Sequence, residues 1–170
     1  MTESTDIWPW VIDVYAAPGV AEQCLNLQDE HDQNVPLLLW AAWAATHGAV
    51  DQALAARAAD MARTWSDAVI VPLRGVRRRL KAPLSDGDAT MRLALREQVK
   101  VVELQSEKVL LEQLAALSVR SGAIPDSLLP VVILDALLAV ASVWSQDFPA
   151  EKLARLTQAL SEGLVLRYNS

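Results

Sequence analysis

Five of the eight residues from Arg74 to Lys81 carry positive charge, in a chain whose net charge is −6. Guanidinium groups bind carboxylate or phosphate through planar, paired hydrogen bonds, so a run of this kind has to meet anions. On a helix with about 100° per residue, Arg74, Arg77, Arg78 and Lys81 fall within roughly one-third of the circumference, while Arg79 points elsewhere. Arg96, Lys100, Glu103 and Glu107 form a second stripe downstream. Glu103 and Glu107 are themselves a like-charge pair four residues apart and need cations nearby. Two readings follow. Either the stripes zip together as interhelical Arg–carboxylate forks, or the basic stripe, edged by Trp65, stays open as a site for a small anionic ligand or an acidic protein partner. A third chemistry assigns Glu103 and Glu107 as an acid–base pair, because neighbouring carboxylates shift one another's proton affinity. It demands a cleft open to solvent between the two helices.

Other groupings are weaker. Cys24, Gln28 and His31 share a helical face beside Asp29, Glu30 and Asp32, but lack a full metal-ligand set or a positioned third group. A buried, inert thiol is the simpler reading of Cys24. Trp8, Trp10, Trp40, Trp43 and Trp65 read as core more readily than as a pocket lining. His47 precedes Gly48 and suits a helix C-terminus. Asp135 interrupts an apolar run, and is expected to turn outward or to pair with Arg120 or Arg155. No phosphate-loop, dinucleotide, zinc-protease, C-x-x-C or nucleophile-elbow motif occurs. We therefore assign no catalytic residues, metal or cofactor, and the lack of motifs weighs against an enzyme without eliminating one.

The elements that must hold these side chains are helical. Apolar residues make up 52% of the sequence, rich in Ala and Leu and poor in Gly. Asp6 caps a helix to Ala17, Pro18-Gly19 breaks it, and a second helix runs to about Asp32. Asn34 caps the apolar stretch Val35–Ala45, and Asp51 opens an Ala-rich helix thin enough for close packing. Pro72 sits inside the next helix and should kink or split it. Pro83–Asp88 is a surface loop. Ala89–Ser121 gives the longest helical pattern, near 50 Å if continuous, with Gly122 stopping it. Asp126 caps an apolar helix to Ser145, and Asp147 and Pro149 start a last helix striped with Leu153, Leu156, Leu160 and Leu164. The spacing thus predicts an all-α, single-domain bundle of seven or eight helices with one long central helix.

Composition limits function further. Residues 1–56 hold eight acids and no Lys or Arg, whereas residues 57–108 hold eleven bases against seven acids. An acidic front and a basic middle can neutralise one another within one fold. With a pI near 4.9, the small basic stripe argues against nucleic acid as a partner. One cysteine and no visible secretory signal fit the cytoplasm. The apolar run Leu128–Trp144 reads as a buried helix and not a membrane span, because Asp135 and Pro130 interrupt it.

The order of motifs resembles an uncharacterised family of small all-helical proteobacterial proteins, a domain of unknown function. The resemblance rests on Tyr15 with P-G-V at Pro18–Val20, C-L-N-L-Q-D at Cys24–Asp29, and V-P-L-L-L-W at Val35–Trp40. It continues through Trp65, P-L-R-G-V-R-R-R-L-K at Pro72–Lys81, and E-L-Q-S-E at Glu103–Glu107. It covers about residues 7–118 and implies a helical cytoplasmic protein with no established activity. The family positions it carries over are Trp8, Tyr15, Gly19, Cys24, Gln28, Asp29, Trp40, Trp65, Arg74, Lys81, Glu103 and Glu107. We expect residues 1–122 to form the family's helical domain and residues 123–170 a C-terminal helical pair on the same core. The expected function is a non-enzymatic module that binds a protein partner or small anionic ligand through Trp65, Arg74, Arg77, Arg78 and Lys81. The alternatives are the Glu103/Glu107 enzyme or sensor, and a scaffold dimerising through residues 126–168.

Overall fold

A computed structural model describes residues 6–83, 88–118, 122, 124–146 and 148–168, with side chains described up to residue 165. Most of the expected Pro83–Asp88 loop, together with Arg120, Ser121 and Asp147, lies outside the described residues. Among those residues there are eight α-helices and no strand: α1 (Ile7–Tyr15), α2 (Val20–His31), α3 (Val35–Ala45), α4 (Gln52–Trp65), α5 (Val71–Arg79), α6 (Ala89–Ala115), α7 (Leu129–Trp144) and α8 (Ala150–Tyr168). The architecture is an all-α bundle.

The helix starts follow from side-chain caps. Asp6 accepts from the Trp8 amide at 3.1 Å, Asn34 from Leu37 at 2.9 Å, Asp51 from Leu54 at 2.8 Å, and Asp88 from Thr90 at 2.8 Å. Each satisfies an amide that the helix itself cannot pair. Gly19 adopts φ 83° before α2, a left-handed conformation that a side chain would strain.

The core is built around α3, buried along its whole length from Val35 to Ala45. An element apolar on every side has to be wrapped by others, and α1, α2, α4, α6 and α7 all contact it. Ala55, Ala58, Ala59 and Ala62 bury the small face of α4 against its neighbours, as an Ala-rich helix permits. Ile133, Leu137 and Val140 of α7 and the α8 stripe Leu153, Leu156, Leu160 and Leu164 belong to the same cluster of buried residues. The stretch Asp126–Trp144 is long and apolar enough to cross a membrane by length and composition, and about a third of it (33%) is buried in this fold.

Two expectations need correction. The long helix ends at Ala115 and not near Ser121, so Gly122 is not its stop. Its end tightens into turns, with Leu117 donating to Leu114 and Ser118 to Ala115, while the Ser118 hydroxyl accepts from the buried Trp40 indole at 3.0 Å. Asp126 does not cap α7. It opens a one-turn 3-10 segment, Asp126–Leu128, ahead of Pro130, whose ring fits the first turn of α7. The helix is interrupted next to Pro72, and the interruption takes a specific form. Lacking an N–H, Pro72 cannot bond the Ala68 carbonyl, and the ladder slips by one residue into a π segment, Ser66–Ile70, before α5 continues. The Val71 amide accordingly donates to the Ser66 carbonyl, five residues back.

Candidate functional site

The two charged stripes meet between α5 and α6. Arg74 Nε donates to Glu103 Oε1 at 3.0 Å and its Nη2 to Glu107 Oε1 at 3.2 Å, while Arg77 Nε pairs with Glu103 Oε2. Glu103 is 7% exposed. Burial opposes its ionisation, but hydrogen bonds and charge from Arg77 and Arg74 prevail, and its pKa lies below the ordinary value. Glu107 is held above the ordinary value, first by burial and further by the charge on Glu103, although Arg74 acts the other way.

These contacts divide the basic stripe, which does not form one open strip of guanidinium groups. Arg74 and Arg77 are consumed by the chain's own acids. Lys81 is exposed beyond the end of α5, with no ion pair among the described residues. Trp65 is half-buried and turned toward α6, its indole N–H donating to the Ser106 carbonyl at 2.9 Å. None of Trp65, Arg77, Lys81, Glu103 and Glu107 borders the cleft described below. The acid–base reading required a solvent-open cleft at the Glu pair, and Glu103 is closed over by two guanidiniums.

Arg78 points elsewhere in the fold. It borders a cleft of about 950 Å³ walled by the α2–α3 junction on one side and by the π segment and one side of α5 on the other. The α2–α3 junction supplies Gln28 to Pro36. Asp32 within it holds φ 51°, a left-handed conformation uncommon for residues other than glycine, and serves as the C-cap of α2. Its carbonyl accepts from the Trp144 indole at 2.7 Å, and Arg63 donates to the Trp144 carbonyl at 3.0 Å while stacking 4.4 Å over the Trp144 ring. Asn34 donates to the Ser66 hydroxyl at 2.8 Å, tying the two walls together. The cleft therefore has a braced frame.

Its unusual feature is Gln33. The residue is 3% exposed, borders the cleft, and neither its amide nitrogen nor its amide oxygen has a hydrogen-bond partner among the described residues. His31 Nε2, also at the cleft, is likewise buried and unpartnered. A buried, unmet amide costs about 1–3 kcal/mol, and such groups ordinarily find partners. The π segment brings Ser66 and Asp67 into the same wall, and π-bulges recur at functional sites.

Most of this was invisible in the sequence. Gln33 sits in D-Q-N-V-P, which reads as a solvent-facing turn. Trp144 lies about eighty residues beyond Arg63. Pro72 was one usable signal, since it forces the irregularity that shapes the wall. The expected face of Cys24, Gln28 and His31 does form in part: Gln28 and His31 reach the cleft, while Cys24 is buried and burial pushes its thiol up to about 12. No group of three His, Cys, Asp or Glu side chains able to hold a metal ion occurs among the described residues. Asp135 is exposed, and Arg155 pairs with Glu151 at 2.7 Å.

A small all-helical protein with a polar cleft at one helix junction is the class these observations define. The chain belongs to the family described as Protein of unknown function (DUF2390), whose match spans residues 6–114. No curated protein and no solved structure matches it. The match ends before Trp144, so one part of the cleft frame lies outside the family region.

Proposed function

We propose that this protein is a non-enzymatic cytosolic binding module whose ligand is a small molecule bearing an anionic group, held in the cleft between the α2–α3 junction and the π segment. The reading rests on Gln33, an amide buried against the cleft with its donor and acceptor both unmet among the described residues. A ligand that pairs with it recovers hydrogen bonds that folding leaves unmade. Arg78 supplies the cation for the anionic group. It is exposed, borders the cleft, and has no ion pair among the described residues, unlike Arg74 and Arg77. A concave cleft with a few convergent polar groups suits a small molecule better than a flat protein face.

The test is calorimetric titration of the full chain with a panel of small carboxylates and phosphate esters, repeated on Arg78→Gln and Gln33→Met. Binding in the wild type and its loss in both variants is expected. Gln33→Met should also raise the ligand-free melting temperature by about 2–8 °C, since an apolar side chain of similar shape relieves about 1–2 kcal/mol of unmet polarity. Undiminished affinity in both variants, or no binding by any member of the panel, removes the proposal.

A further inference from the structure

Resting on that reading of the cleft, we infer that its ligand is a short peptide with free termini, its carboxylate on Arg78, its ammonium on Asp32 or Asp67, and a peptide amide on Gln33. The inference comes from which charged groups bordering the cleft remain uncommitted. Arg74 is neutralised by Glu103 and Glu107. Glu30 pairs with Lys152 at 2.6 Å. Arg63 is occupied by the carbonyl and ring of Trp144, and Asp29 accepts from Gln28 at 3.3 Å. What is left without an ionic partner among the described residues is Arg78, together with three exposed carboxylates: Asp32, Asp67 and Asp29, the last met only by the neutral Gln28 amide. A purely anionic ligand would meet these uncompensated negative charges on entering. A ligand carrying both signs meets a complementary set.

The positive group is an organic cation and not a metal ion. The acids bordering the cleft are spread over two walls, and no three of the described acid, His or Cys side chains converge on one point. An ammonium needs only one or two carboxylates, and offers three donors to them. The amide follows from Gln33 itself. A primary carboxamide with donor and acceptor both unmet is complementary to another amide, which returns one of each. Size agrees, because about 950 Å³ lies at the upper end of the range of small-ligand sites, roomy enough for a di- or tripeptide.

The experiment titrates the full chain with trialanine in three forms: free termini, N-acetylated, and C-amidated. Free trialanine should bind, and acetylation or amidation should each weaken it by about tenfold or more. Asp32→Asn combined with Asp67→Asn should abolish the penalty for acetylation, and Arg78→Gln the penalty for amidation. These side chains are exposed, so the variants are expected to fold. Equal binding of the free and acetylated forms overturns the inference. So does failure of trialanine to bind while small carboxylates or phosphate esters do, an outcome that leaves the anionic-ligand reading standing. If neither class binds, both fall.

Discussion

Replacing Glu103 by Gln tests whether an ion pair, and not apolar burial, fastens α5 to the bundle. No residue of α5 is fully buried, so the helix has little hydrophobic hold of its own. Its anchorage rests on Arg74 and Arg77, which converge on the Glu103 carboxylate. Glutamine keeps the shape but deletes the charge, leaving Arg77 without a counter-ion and Arg74 with Glu107 alone. Removing one partner from a buried pair costs about 3–5 kcal/mol. Here the arginine side chains remain 18% and 23% exposed, and water recovers part of the loss. We therefore expect about 2–3 kcal/mol, a fall of roughly 4–12 °C in melting temperature at pH 7. Native-state hydrogen exchange should show the α5 amides opening first, ahead of those of α3 and α7. The pH dependence has a definite sign. Because the folded carboxyl of Glu103 lies below its ordinary value, its contribution is present above that value and is lost as pH falls through the lowered one. The wild-type advantage should shrink toward zero in acid. A change under about 0.5 kcal/mol at pH 7, as for an ordinary surface pair, would refute the reasoning.

Glu107 should behave oppositely. Its folded pKa is raised, so stability is greatest below the ordinary value of 4.5 and is lost as pH rises through the raised one. Glu107→Gln should therefore be more stable than wild type at pH 7 and indistinguishable from it at low pH, as followed by urea melts across the range. Cys24, with its thiol pushed up to about 12 by burial, should resist a thiol-specific disulfide reagent at pH 8 in the folded protein and react fully in urea. Rapid reaction in the folded state would show that α2 opens.

Local chemistry determined the helices. Four caps at Asp6, Asn34, Asp51 and Asp88 can be read from residue type and position, because a side chain satisfies the amides two or three residues away. The all-apolar α3 and the leucine stripe of α8 announce their burial by composition and period, and membership of a family of unknown function was legible in the sequence. The pairing of the basic stripe was one of two open readings, since spacing shows that four cations share a face without showing what faces them. Tertiary packing sent Arg74 and Arg77 to Glu103 and left Arg78 at a cleft. It also brought Trp144 against Asp32, 112 residues away, and enclosed Gln33. Those outcomes depend on which surfaces α7 and α5 cover once the apolar faces have found one another. Hydrophobic burial is non-directional, so the pattern that drives collapse carries no label for the polar groups it will trap.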